Sequence, residues 1–246
     1  MLRRALQQEL PNISDEIGCV CCDRETTVRR EAFMEKTARF DGILAGEKER
    51  RERFYCRALP EKRTLKEALG CLSREELDDL AYNLCLEGTE GMTLPSLIDA
   101  LAPAAVHFAE RWLPSAFEEQ YRAFCHIRDK DGLADDFRED DVRIDYLCGL
   151  GIMAVGVDAG KLYWYMPEEM AEIFKKLDSA AYEDAVRLNT EIMRLATGLL
   201  FYYGFLDYDK LFAMVNTYLE EGQRLDFSAF MGVMLNGSCW HKEVVG

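Results

Sequence analysis

The chain has 246 residues, enough to bury a sizeable core, and its 49% apolar and 30% charged content is typical of folded globular proteins. Its formal net charge of −15 argues against a protein that coats nucleic acid nonspecifically, because neutralising phosphates requires a basic surface. The charge is uneven: residues 1–66 hold 15 Lys and Arg against 12 Asp and Glu, whereas residues 67–246 hold 15 against 33.

Residues 1–63 form the first predicted segment, helical with a break near Pro11 and closed by Pro60. Contact with a polyanion or a partner is most plausible here, where the net charge is positive. The candidate contact residues are Arg29, Arg30, Lys48, Arg50, Arg51 and Arg53. Glutamates alternate with these cations, so a solvated helix face is the alternative interpretation.

Three cysteines, Cys19, Cys21 and Cys22, form the tightest cysteine cluster in the chain. Structural zinc sites commonly use paired C-x-x-C motifs or a nearby histidine. The spacing here is C-x-C-C and no partner pair is evident, so we expect a loop of free thiols, with a metal site as the alternative. The nine cysteines are odd in number and irregularly spaced, which favours free thiols in a reducing cytoplasm over a disulfide framework.

Residues 64–113 are predicted to form a small helical unit. Thr64 is a candidate N-cap, and Ser73 with Glu76 has the spacing of a capping box. The second helix is expected to end at Gly88 and Gly91, and Pro103 is expected to bend or stop the third.

Residues 114–180 are predicted to form a winged-helix-like unit, because helical patterns are followed by a β-hairpin with its turn at Asp158-Ala159-Gly160. Alternation places Tyr163 and Tyr165 on one face of the hairpin and Trp164 on the other. One face must pack on the helices, and the other is a possible contact surface for a partner or nucleic acid. Lys161, Tyr163 and Tyr165 are therefore candidate contact residues.

Residues 181–246 are predicted to form three helices, with N-caps at Asp207 and Asp226, followed by a strand-like stretch from Cys239 to Val245. Phe201-Tyr202-Tyr203 is expected to pack a helix end into the core, and Asn236-Gly237 is expected to end the last helix. A second winged helix would need a returning strand. We therefore expect either an incomplete second winged helix or a natural chain that extends past Gly246.

The stretches 72–77 (LSREEL) and 94–101 (LPSLIDAL) resemble the small helical domain named after the N-terminus of transcription terminator Rho and its SAP-like relatives. Residues 151–177 are similar to the wing and following helix of uncharacterised bacterial proteins, some of which carry a SecA-type cysteine motif at the end. This chain shows no such motif. The helical patterns and the single hairpin predict a mainly α, multi-helical fold with a minor winged-helix-like β-hairpin. The resemblance implies modules that bind nucleic acid or protein, although the Rho-like helices here lack a basic surface.

No set of residues in the chain has the pattern of an active site, and the acidic stretch between residues 135 and 141 is expected to be a solvated linker and helix cap. We therefore expect a non-enzymatic regulatory or adaptor protein of the cytoplasm, with no cofactor, which binds a protein partner through its winged-helix and Rho-like modules. The alternative is a DNA- or RNA-binding regulator that uses the basic N-terminal helix and the wing. No apolar run is long enough to span a membrane.

Overall fold

A computed structural model describes residues 44–46, 48–139 and 141–240 of the chain. The chain divides into two units, residues 1–53 and residues 54–246. Within the first unit, residues 44–46 and residues 48–53 are helical, and we call the segment that begins at residue 48 α1.

The described part of the second unit is mainly helical with one two-stranded antiparallel sheet, which confirms the predicted fold class. Its elements in chain order are α2 (Leu65–Gly70), α3 (Arg74–Asn83), α4 (Leu94–Trp112), α5 (Glu118–Asp129), α6 (Val142–Gly149), β1 (Ala154–Asp158), β2 (Lys161–Tyr165), α7 (Glu168–Leu177), α8 (Ala180–Tyr203), α9 (Tyr208–Tyr218) and α10 (Phe227–Trp240). Short 3₁₀ turns lie at Leu113–Ser115 and Glu221–Gln223. No helix among the described residues is long and apolar enough to cross a membrane.

One continuous hydrophobic core is built by side chains from α2 through α10. The long helix α4 lies centrally and contacts α2, α3 and α7, while α8 contacts α5, α9 and α10. The sequence-predicted boundaries after residues 113 and 180 therefore fall between elements that share this core.

The start of α3 has the predicted capping box. The Ser73 hydroxyl accepts a hydrogen bond from the N–H of Glu76, and the Glu76 carboxylate accepts one from the N–H of Ser73 at 2.8 Å. The expectation that Gly88 and Gly91 end this helix is wrong, because α3 already ends at Asn83 and both glycines lie in the following loop.

Helix α4 does not stop at Pro103 but continues to Trp112. A proline inside a helix removes one backbone hydrogen bond and crowds the preceding turn. Here Leu97, Leu101 and Ala105 are fully buried on one face of the same helix. This burial offsets the local cost of the proline, which itself lies on the exposed side.

The β-hairpin turns at Ala159 and Gly160, whose φ values of 48° and 78° are those of a two-residue turn with both central residues left-handed. Both outer edges of the hairpin are paired. The N–H of Leu59 donates to the carbonyl of Val157 at 3.0 Å, and Ala134 exchanges two hydrogen bonds with Trp164 at 2.8 and 2.9 Å. The segments of the same chain around Leu59 and Ala134 therefore hold the hairpin at both of its edges.

A buried amide network joins the turn after α4 to the later helices. Gln120 and Asn236 are 0% and 2% exposed, and their side-chain amides exchange hydrogen bonds of 3.0 and 2.9 Å. Asn236 also donates to the carbonyl of Ser115 at 2.8 Å, and Asn189 donates to the carbonyls of Pro114 and Ala116. These bonds fix α5, α8 and α10 around the segment from residue 114 to 116.

The C-terminal helices begin at the predicted caps: the Asp207 carboxylate accepts from the N–H of Lys210, and that of Asp226 accepts from the N–H of Ala229, each at 2.8 Å. The expectation that Asn236-Gly237 ends the last helix is wrong, since α10 continues to Trp240. The strand-like interpretation from Cys239 is wrong for Cys239 and Trp240, which are helical, and its remainder lies outside the described residues.

Candidate functional site

The hairpin offers less free surface than its sequence suggested. Trp164 and Tyr165 are 2% and 1% exposed, so both faces of β2 are buried at this end and the Tyr165 side chain is in the core. Trp164 packs edge-on against Tyr55 and Phe137, with ring centroids 6.4 and 5.9 Å apart.

Near the turn, the Lys161 ammonium forms an ion pair with the Asp135 carboxylate and lies 5.5 Å from the centroid of the half-buried Tyr163 ring. The Asp135 carboxylate raises the pKa of Lys161, and the Lys161 ammonium lowers the pKa of Asp135. The charge of this candidate contact residue is therefore already paired within the chain.

The basic candidates in the first unit are covered only in part. Lys48, Arg50, Arg51 and Arg53 lie on the described helix α1, where Lys48 pairs with Glu52 at 3.7 Å across one helical turn. Arg29 and Arg30 lie outside the described residues, as does the cluster of Cys19, Cys21 and Cys22. Within the described ranges, no group of three or more His, Cys, Asp or Glu side chains could hold a metal ion.

A cleft of about 530 Å³ lies between α5, the 136–144 segment and the end of α10. His126 Nε2 lies 2.6 Å from an Asp136 carboxylate oxygen, and this contact lowers the pKa of Asp136. Opposite them, the Arg143 guanidinium donates to Glu119 at 2.8 Å and lies 5.8 Å from the centroid of the Trp240 ring.

The polar groups of this cleft bind mainly one another. Its histidine is oriented by a carboxylate, as a general base would be, but the described residues that line it include no serine, threonine, cysteine or tyrosine to act as a nucleophile. The Trp240 indole N–H also donates to Glu119, so the cleft's cations, carboxylates and indole largely satisfy one another.

Among the described residues, a run of exposed aromatic side chains lies where α8 meets α9. Five aromatic residues within eight positions form what we call the aromatic tip: Phe201, Tyr202, Tyr203, Phe205 and Tyr208. Phe201, Phe205 and Tyr202 are 92%, 83% and 80% exposed, and the Tyr202 and Tyr203 rings contact each other edge-on at 5.0 Å. Exposed large apolar side chains concentrated in one place are uncommon on soluble proteins and mark interaction sites.

The local backbone structure keeps the aromatic tip exposed to solvent. Helix α8 ends at Gly204, whose φ of 76° reverses the chain and suits glycine. Asp207 caps the start of α9 after only two further residues, so Phe205 lies in a short turn between two helices. Partly buried Leu199, Leu200 and Leu206 attach this turn to the core below it.

The charged residues that follow the tip along the chain are mainly acidic. Residues 195–206 contain no charged side chain, and the next charged residues along the chain are Asp207 and Asp209. The last turn of α8 contains no basic residue, so nothing in that turn compensates the negative end of a 24-residue helix dipole. Over residues 207–226 there are five acidic side chains and two basic ones.

The prediction that Phe201-Tyr202-Tyr203 packs into the core is wrong. Successive helical residues are separated by about 100° around the axis, so three consecutive aromatics spread over more than half of the circumference. A helix end that is covered on one side only must leave some of them in solvent. The three consecutive aromatics, within the twelve uncharged residues 195–206, are the sequence feature from which their exposure could have been predicted.

Comparison with known proteins gave no match. No family model fits the chain, and no curated protein or solved structure is significantly similar to it.

Proposed function

We propose that this protein is a non-enzymatic adaptor that binds a protein partner, and that the aromatic tip is its contact surface. The observation that carries the proposal is the exposure of five aromatic side chains at one inter-helix turn. Aromatic residues are enriched among the few residues that supply most of the affinity in protein interfaces.

The size of the surface supports this proposal. With about 200 Å² for each aromatic residue, the exposed fractions of the five residues amount to roughly 700 Å². This total, which includes the tyrosine hydroxyls, approaches the about 800 Å² per partner that a standard interface buries.

In this proposal the Rho-like helices and the winged-helix-like hairpin act as a scaffold. Two features favour that role over nucleic-acid binding. Lys161 is already paired with Asp135, and the net charge after residue 66 is strongly negative. Nonspecific binding to DNA or RNA would have to overcome that repulsion.

The test introduces a photo-crosslinking phenylalanine analogue at position 201, with the same analogue at position 82 as the matched control. Tyr82 is 85% exposed on α3, so both probes are equally accessible. A discrete protein adduct is expected at position 201 only. The captured protein, once purified, should bind the wild-type chain at least about 10-fold more tightly than a Phe201→Ser/Phe205→Ser variant.

Equal adducts at both positions, or affinities that the double variant leaves unchanged, would refute the proposal. A gel-shift titration at low salt tests the alternative, because electrostatic affinity for DNA or RNA is greatest there. Binding of the wild-type chain to a duplex or a single strand under those conditions would favour the nucleic-acid regulator instead.

A further inference from the structure

We infer that the aromatic tip is built for a cationic apolar segment: an amphipathic stretch of a partner protein that carries Arg or Lys beside its hydrophobic residues. This inference rests on the proposed function and specifies the partner's chemistry. Two observations on different parts of the tip lead to it, the exposed rings and the excess of acidic side chains in the turn that follows them.

The aromatic rings can bind both the apolar and the cationic side chains of such a segment. The faces of Phe201, Tyr202 and Phe205 are apolar and almost completely exposed, so a partner's leucine or phenylalanine side chains gain by covering them. The same π-faces attract a guanidinium or ammonium group. An anionic segment would gain only the first of these contributions.

The surrounding charges favour the same occupant. The carbonyls of the last turn of a helix lack intrahelical partners and form the negative end of its dipole. At the tip this end belongs to α8, and Asp207 and Asp209 follow within six residues of its last residue, Tyr203. Lys210 is the one cation among residues 195–219, so the side chains of this stretch carry a net charge of −1, which favours a cation.

The two other possible occupants fit less well. A second copy would bring another Asp207 and Asp209 against the first pair, and each chain carries a net charge of −15. An anionic lipid surface would be repelled by the same carboxylates. A basic partner segment alone satisfies both the apolar surface and its acidic border.

The test uses a synthetic amphipathic peptide of about 16 residues, with leucines at helical spacing on one face and arginines on the other. Two further versions replace the arginines by glutamine or by glutamate. Affinity for the full chain is measured by fluorescence anisotropy at about 50 and 300 mM salt, since screening weakens exposed charge–charge attraction.

Four protein variants accompany the wild type. Phe201→Ser/Phe205→Ser removes the rings, and Tyr82→Ser removes an equally exposed ring elsewhere on the molecule. Asp207→Asn/Asp209→Asn removes two charges but keeps the helix cap, because asparagine caps as well as aspartate. Glu183→Gln/Asp184→Asn removes two exposed charges at the opposite end of α8 as its matched control.

The arginine peptide is expected to bind at least 10-fold more tightly than the glutamine peptide at low salt, and the glutamate peptide is expected not to bind. The ring variant should lose at least 10-fold in affinity for the arginine peptide and Tyr82→Ser less than twofold. The Asp207→Asn/Asp209→Asn variant should lose 3- to 10-fold for the arginine peptide only, and its matched control less than twofold.

Equal loss with the two charge variants would mean that the peptide senses net charge alone, and would overturn the inference. If the ring variant lost affinity equally for the arginine, glutamine and glutamate peptides, the inference of a cationic partner would be refuted. The proposed function would stand. If the tip variants bound every peptide as tightly as the wild type, and no photo-adduct specific to position 201 formed, both the inference and the proposed function would be refuted.

The other occupants are tested on the same variants. Tip-dependent dimerisation in analytical ultracentrifugation would assign the surface to a second copy, and tip-dependent binding to phosphatidylcholine vesicles would assign it to a lipid surface; either result overturns the inference. A monomer that does not bind those vesicles, with Phe201 and Tyr202 strongly modified by hydroxyl radicals in the free chain, supports it.

Discussion

Truncation of Asn236 to alanine is expected to destabilise the protein by about 2–5 kcal/mol, although the change improves the intrinsic helix propensity at that position. Three hydrogen bonds are lost: two buried ones with the side-chain amide of Gln120 and a partly buried one to the carbonyl of Ser115. Each polar group that is left buried without a partner costs about 1–3 kcal/mol.

The magnitude follows from what remains in the variant. Gln120 Oε1 keeps the hydrogen bond from the N–H of Phe117 at 2.9 Å, but Gln120 Nε2 and the carbonyl of Ser115 each lose the bond that Asn236 made with them. Those two groups account for most of the expected loss. Native proteins have a total stability of about 5–15 kcal/mol, so this variant should unfold at much lower denaturant concentration.

Urea unfolding followed by circular dichroism measures the loss, with Leu235→Ala as the matched control on the same helix. Leu235 is 58% exposed, so its truncation should change stability by no more than about 0.5 kcal/mol. In a double-mutant cycle, Gln120→Ala and Asn236→Ala should couple by about 1–3 kcal/mol. A loss below about 1 kcal/mol, or strict additivity, would refute the network as described.

Three further predictions concern separate parts of the chain. Gly156→Ala should destabilise the protein by about 1–3 kcal/mol in urea unfolding, because the added Cβ would lie 2.6 Å from the Cα of Leu59; an unchanged midpoint would contradict this. Asp136→Asn should flatten the loss of stability between about pH 5 and pH 3, since the bond to His126 lowers the native pKa of Asp136 and the wild type therefore loses that contribution as pH falls; parallel pH curves would count against it. Phe201→Ser should leave the unfolding free energy within about 0.5 kcal/mol of wild type, because its ring is exposed; a larger loss would mean that the ring packs inside.

Local signals in the sequence predicted the helix starts and the hairpin turn. The Ser73–Glu76 capping box and the Asp207 cap are settled by groups three residues apart, so their physics is contained in the local sequence. The same holds for the Ala159-Gly160 turn, where backbone conformation alone decides the geometry.

Helix ends were predicted less well because tertiary contacts decide them. Asn236-Gly237 is a common helix-ending pair, yet here each residue serves the packing between helices. The Asn236 amide is bonded in the buried network, and a Cβ on Gly237 would overlap the Met193 thioether of α8. Neither role is visible without knowing which helices meet, and the same is true of the buried face that carries α4 past Pro103.

The aromatic tip is where residue type and placement disagree most strongly. The chain buries the amides of Gln120, Asn189 and Asn236 within its core, while Phe201 and Phe205 remain in water. A buried amide needs partners and has them, so the first departure from ordinary patterning is explained by structure. The exposed rings receive no such compensation from the described chain, and departures of this kind are expected at functional sites. The aromatic tip is therefore the part of the described chain that points most directly to a function, and its acidic border predicts tighter binding of cationic than of anionic peptides.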